Sequence, residues 1–321
     1  MPVVRGKGAD ISAIAALEST YGTAPGTGWF QHLLTSFDPG VQDRMGFEPE
    51  FGLGHPQDQD PFYEGGRYQP SWGVHIGLYS FGWWLKMLLG APTTTGPGSY
   101  THVFESNLDV PSFSFEEGDA NLSTPKYFLL TGCKLSQMQI NLAPKGPAAA
   151  SFNGIAQNRG EAGTAANGSP TSFSSAGVYK YLNKNCKIQR AGADLGAVLG
   201  GSLNFGNNVE AIETMRGDGL IDAADEMNRG CAGELRVRHT SSTLLRADDT
   251  SEMPVALKYI WTTPVNAAYK LEIDLARAFL SLRGAPVEGP GGINYTFGVR
   301  AAKPASGNLM KVTLVNNVAS Y

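Results

Sequence analysis

The chain has 321 residues, more than a common single domain, so two domains of about 100–150 residues are the first expectation. Charged residues make up 17%, below the roughly 25% of ordinary soluble domains, and the net charge of −4 excludes a nucleic-acid binder that works through a basic footprint. Apolar residues at 42% suffice for a sizeable core, and 40 glycines without a collagen period point to the many tight turns of an all-β protein. Cys133, Cys186 and Cys231 form no CxxC pair and read as reduced core residues made in a cytosol. Ile11–Leu17 is too short and polar for a signal h-region, and no run approaches the roughly eighteen apolar residues of a membrane span.

In chain order, residues 6–37 are mixed. Residues 38–70 are rich in Gly, Pro, Asp and Glu, a loop long enough to expect a function or ordering by a partner. Trp72, Val74, Ile76 and Leu78 alternate with small or polar residues, which predicts a strand with one buried face. Ser80 to Gly90 has helical spacing at Trp84, Leu85, Leu88 and Leu89, with Ser80 as a possible cap and Gly90 suited to the C-terminal turn. Strands follow at 103–104, 112–116, 134–142 and 149–156. Within 134–142 the apolar phase changes between Leu135 and Met138, which predicts a β-bulge. Residues 158–175 are small and polar and read as a linker.

The second half repeats the style. Strands are expected around Leu203–Phe205, Leu235–His239, Val255–Trp261, Tyr269–Leu275, Ile293–Val299 and Met310–Leu314, with a short helix at Ser241–Ala247. SFDPGVQDR (36–44) matches SLNFGNNVE (202–210) in pattern, and the strand–helix unit at 66–88 matches 228–247. The common order suggests an internal duplication. The expected boundaries are 1–160 for the first module, 161–175 for the linker and 176–321 for the second module.

Catalytic patterns are missing: there is no HExxH, GxSxG, Walker loop or EF-hand spacing, and His32, His55, His75, His102 and His239 are scattered. No enzyme activity and no cofactor are expected. Glu116, Glu117 and Asp119 cluster at a strand end, as a paired-carboxylate site, a solvated turn or an acidic surface. Glu272 and Asp274 share the polar face of their strand. Arg216-Gly217-Asp218 reads as a turn. Trp29, Trp72 and Trp261 could form the exposed platform of a β-sandwich binding module for a carbohydrate or receptor, although the alternation puts Trp72 and Trp261 on apolar faces.

Taken in order, GKGADISAIAALESTYGTAP, SWGVHIGLYSFGWWLKMLLG, YTHVFES, PSFSFEEGD and FLLTGCKLSQMQINLAPKGPAAASFNGIAQ resemble the tail tube proteins of long-tailed, siphovirus-like bacteriophages, from about Gly6 to Val299. The resemblance implies a mainly β fold with short flanking helices, in tandem β-sandwich modules whose strands form a ring barrel with neighbouring subunits. It implies a structural subunit of the virion tail, made in the host cytoplasm and stacked into a hollow conduit for DNA. Its partners would be further copies of itself (three as a pseudo-sixfold ring, or six), the tape-measure protein, and tail terminator and tip proteins, with no membrane. DNA would pass without specific binding. On this reading Glu116, Glu117, Asp119, Glu272 and Asp274 are candidates to face the lumen, where carboxylates repel phosphates. Arg44, Glu48, Asp58, Asp60 and Glu64 are candidates for a loop gripping the adjacent ring.

Overall fold

The computed structural model describes residues 5–321 except 43, 49–59, 107–108, 123, 162–169, 174–178, 240–241 and 288. The first half contributes β1 (Ile11–Leu17), β2 (Phe30–Gln31), β3 (Leu34–Asp38), β4 (Met45–Gly46), β5 (Phe62–Tyr63), β6 (Ser71–His75), α1 (Phe81–Leu89), β7 (Thr93–Thr95), β8 (Tyr100–Glu105), β9 (Phe113–Asp119), β10 (Lys126–Leu142), β11 (Ala149–Ile155) and β12 (Asn158–Glu161). The second contributes β13 (Cys186–Arg190), β14 (Ala193–Asp194), β15 (Val198–Gly206), β16 (Val209–Ile212), β17 (Ala223–Glu226), β18 (Gly230–Arg238), α2 (Ser242–Ser251), β19 (Val255–Thr262), β20 (Lys270–Gly284), β21 (Asn294–Ala301) and β22 (Lys311–Asn316). The protein is mainly β, and every ladder between these strands is antiparallel.

The two halves share one order of pairing. In the first it runs β3–β6–β11–β10–β9–β1, and in the second β15–β18–β21–β20–β19–β13. Each half is built around one long strand that changes partners midway. β10 pairs β9 and β12 along its first part and β11 along its second. β20 pairs β19 and β22 first and β21 later. Both long strands carry a bulge where the partners change, so the buried series steps by three, from Leu135 to Met138 and from Leu275 to Ala278. β12 takes up the first residues of the segment expected to be a linker; most of the remainder lies outside the described residues.

The halves are joined by hydrogen bonds as well as by chain. β10 pairs β15 through Gln137↔Gly206, Met138↔Phe205, Gln139↔Asn204, Ile140↔Leu203, Asn141↔Ser202 and Leu142↔Gly201. The β7–β8 hairpin lies against β22. The result is one barrel-like system of strands. Followed pair by pair, its ladders branch and do not return to their start.

α1 forms because Trp83, Trp84, Leu85, Met87, Leu88 and Leu89 can all be buried between the sheets. Ser80 makes no side-chain cap, while Gly90, at φ 97°, returns its N–H to the Lys86 carbonyl. Trp72 on β6 is fully buried, with ring centroids 5.5 Å from Phe113, 5.7 Å from Phe115 and 6.0 Å from Trp84. The β9 aromatics thus close over the β6 sheet, and the two sheets make a sandwich.

Glu18 ties β1 to this frame. Its carboxylate accepts hydrogen bonds from Ser114 Oγ (2.6 Å), the Gly132 N–H (2.8 Å) and the Gly22 N–H (3.0 Å). Gly132 needs its φ of +64° to present that N–H, and a Cβ there would meet Gln157 at 2.6 Å. Glu18→Ala strands three donors, and we expect a loss of about 3 kcal/mol in urea unfolding, with Glu18→Gln losing less. A loss below about 1 kcal/mol for the alanine variant would remove this role.

Candidate assembly surface

Eight strands run in one series, β3–β6–β11–β10–β15–β18–β21–β20, using the second parts of the two long strands. The series has two ends. β3 pairs β6 and, among the described residues, no other strand. At the far end, Phe279–Gly284 of β20 pairs β21 on one side, while β19 reaches only as far as Ala278 on the other. Asp249 of α2 accepts the Leu282 N–H at 3.0 Å, so that last donor is already taken. β19 and α2 thus cover most of the β20 end, while the outer edge of β3 carries no strand among the described residues; an uncovered strand edge is a template for pairing with another chain.

One face of this eight-strand series packs on the core and the other is open. On the open face β10 presents Gln137, Gln139 and Asn141, and β11 presents Ser151 and Asn153. The second half adds Arg236, Arg277 and Arg300, with Glu234 paired to Arg283 at 2.6 Å. The period-two alternation predicts which residues share a face; the continuity of that face across both halves comes from the β10–β15 ladder, which no local pattern announces.

The acidic candidates sit elsewhere. Glu116 and Asp119 are buried on β9 at 1% and 7% exposure, so they are not a solvated turn. Glu117 pairs with Arg159 of β12. Glu272 pairs with Lys270 at 2.9 Å and Asp274 with Lys258 at 3.4 Å, both half-buried on the first part of β20. All five therefore belong to the second sheet of their module.

The long 38–70 loop is anchored by the β4–β5 hairpin. There the Glu64 N–H donates to the Arg44 carbonyl at 2.8 Å, and Arg44 Nε donates to the Glu64 carbonyl at 3.3 Å. Arg44, Glu48, Asp60 and Glu64 are exposed, and Asp58 lies outside the described residues. The hairpin also exposes Met45, Phe47, Phe62 and Tyr63, which the sequence reading missed because only their common position makes them a patch. The β16–β17 hairpin holds the equivalent place in the second half, and Arg67 pairs with Glu213 beside it at 3.0 Å. Arg216 pairs with Asp218 at 2.9 Å and Asp222 at 3.1 Å, so the Arg-Gly-Asp triplet is a turn closed on itself.

The tryptophans expected as the platform of a binding module are not exposed: Trp29, Trp72, Trp83, Trp84 and Trp261 are all buried. No group of three or more His, Cys, Asp or Glu able to hold a metal occurs among the described residues, and no described helix is long and apolar enough to cross a membrane. A comparison with curated proteins finds no match. A model of the family described as phage tail tube protein matches residues 8–301, which takes in both halves, both long strands and the ladder that joins them. The chain therefore belongs to the phage tail tube protein family, as a structural component of the virion tail that assembles into a tube.

Proposed function

We propose that three copies of this chain form each ring of the tube, each copy supplying two modules of a pseudo-sixfold ring. The observation that carries this reading is the repeated order of strand pairing in the two halves. A module that recurs within one chain, hydrogen-bonded to its twin through β10 and β15, supplies two sixths of a ring at a time. Rings then stack head to tail, a contact that cannot close and so grows a filament. The exposed hairpins β4–β5 and β16–β17 are suited to that contact.

In this arrangement the open face of the eight-strand series lines the bore. In the first half its amide and hydroxyl side chains give DNA and the tape-measure protein little to hold; in the second half Arg236, Arg277 and Arg300 outnumber Glu234, so the lining is not acidic. Glu116, Glu117, Asp119, Glu272 and Asp274 then brace the outer sheet through burial and ion pairs. The chain works by geometry, without a catalytic step, and meets terminator and tip proteins at the tube ends.

Negative-stain electron microscopy of the concentrated chain, with subunit counting by mass on isolated rings, tests the proposal. The expected result is hollow rods built of three-chain rings. Rings of six chains would overturn the two-module reading while leaving the tube.

A further inference from the structure

The open face carries its charge in one half only. On β20 the Arg277 guanidinium lies over the Phe279 ring, 5.2 Å from the centroid. Phe279 stands directly opposite Arg300 of β21, so two arginines meet at one row of the sheet. In the next row of that face Arg283 pairs with Glu234, crossing above Gly298, where a Cβ would collide with its Nε. One row further stands Arg236, opposite Thr296. Arg236, Arg277 and Arg300 are exposed, and no carboxylate among the described residues pairs with any of them. We propose that these three arginines form a phosphate-binding strip that holds the backbone of duplex DNA without regard to sequence. The inference takes the strip's place in the bore from the tube reading above; the binding itself belongs to the single chain.

Like charges at one row of an antiparallel pair repel, and an anion seated between Arg277 and Arg300 relieves that repulsion. The guanidinium fork matches the oxygens of a phosphate two at a time, and stacking on Phe279 fixes the plane of one fork in advance. From the row of Arg300 to that of Arg236 is four residues, about 13 Å along the strands. The Arg283–Glu234 pair between them is neutral. A small anion cannot reach both ends of such a strip. Duplex DNA carries one charge per about 1.7 Å of its axis, so it offers phosphates to both ends in any register. Gly200, Ser202, Ser281 and Gly298 floor the strip, leaving room for a backbone to approach.

The first half lacks the strip. The bulges of the two long strands align Gln137 with Arg277, and the ladders beyond them align Ser151 with Arg300. An amide and a hydroxyl thus stand where the second half has two cations. In a ring of three chains the cationic sectors recur three times, alternating with neutral ones, although the strand pattern recurs six times. The chain's net charge of −4 hides the strip, because the carboxylates that outweigh it lie on other surfaces. Held at three places per ring, DNA meets a brake whose grip weakens as salt rises.

The test is binding of a labelled duplex to the unassembled chain, followed by fluorescence anisotropy at about 50 mM salt. Two unrelated sequences should bind within twofold of each other. The Arg236→Gln, Arg277→Gln, Arg300→Gln triple variant should bind at least tenfold more weakly, and its plot of log affinity against log salt should flatten by about 0.9 per arginine removed. A control triple of exposed lysines off the eight-strand series, Lys180→Gln, Lys184→Gln, Lys311→Gln, should stay within twofold of wild type. Wild-type chain that leaves the duplex free, or a control that loses as much as the arginine triple, overturns the strip. Polyglutamate that competes as well as the duplex at equal charge overturns DNA as its occupant. Should the arginine triple not fold, Gln137→Arg, Ser151→Arg decides: it should bind at least threefold tighter than wild type, and unchanged binding overturns the strip. Closed circular duplex, which cannot thread a bore, separates the strip from the tube reading. It should bind the unassembled chain and not preassembled tubes; equal binding to tubes overturns the bore placement. If the wild-type chain forms no tubes, the tube reading fails while DNA binding by the single chain still stands or falls on the arginine triple.

Discussion

Trp72→Ala should cost about 4 kcal/mol of stability, the largest loss expected from any single side chain in the first half. The indole is fully buried and touches aromatic rings from three directions: Phe113 and Phe115 on the opposing sheet, Trp84 on α1 and Phe37 on the neighbouring strand, 6.1 Å away. Removing it opens a cavity where both sheets and the helix meet, and a close-packed core relaxes only in part around such a hole. With total stabilities of roughly 5–15 kcal/mol, the variant should be partly unfolded at 37 °C. Trp72→Phe should lose much less, because the buried indole N–H has no partner among the described residues and phenylalanine removes that donor. Urea unfolding of the monomer measures both. A loss under about 1 kcal/mol for the alanine variant would show that the sheets do not rely on this contact.

The second large effect is acid sensitivity. His32 is buried against Trp83 (ring centroids 4.4 Å), Trp84 (5.2 Å) and Phe173 (5.5 Å), and neither ring nitrogen has a hydrogen-bond partner among the described residues. Burial alone pushes its pKa down to about 3 from an ordinary 6.5. Between those values the unfolded chain binds a proton that the folded chain refuses, so stability falls as pH drops. The contribution of His32 is fully present above pH 6.5 and is lost progressively toward pH 3, with a slope approaching about 1.4 kcal/mol per pH unit. His32→Phe keeps the ring packing and removes the titration. Unfolding midpoints from pH 7 to pH 4 should therefore fall more steeply for the wild type than for the variant. Parallel curves would show that the pocket admits water or a proton without unfolding.

Local pattern carried most of the strands. The helix after Ser80 and the phase change between Leu135 and Met138 appear where periodicity put them, and the strand expected over Trp72–Leu78 forms as Ser71–His75, with Ile76 and Leu78 buried beyond its end. The matching of the two halves was visible as an order of elements. Its alignment was less so: the ladders set Phe37 against Phe205, two residues away from a match of Ser36 with Ser202. Sequence reasoning placed the functional charges on Glu116 and its neighbours because acidic runs stand out. Their burial and their pairing with Arg159, Lys258 and Lys270 depend on strands far apart in the chain. The open polar face and the uncovered edge of β3 were invisible for the same reason: they are properties of which strand lies beside which.

The β10–β15 ladder has a consequence for how tubes respond to dilution. In a ring closed as proposed, every second joint lies within a chain, where tethering keeps its two strands at a high effective concentration whatever the amount of protein. Only the three remaining joints obey mass action. A ring of six single modules would have to recruit twice as many independent pieces, and its onset of assembly would depend on a higher power of their concentration. Fusing the modules lowers that power, so tubes can grow early in infection, when few subunits have been made.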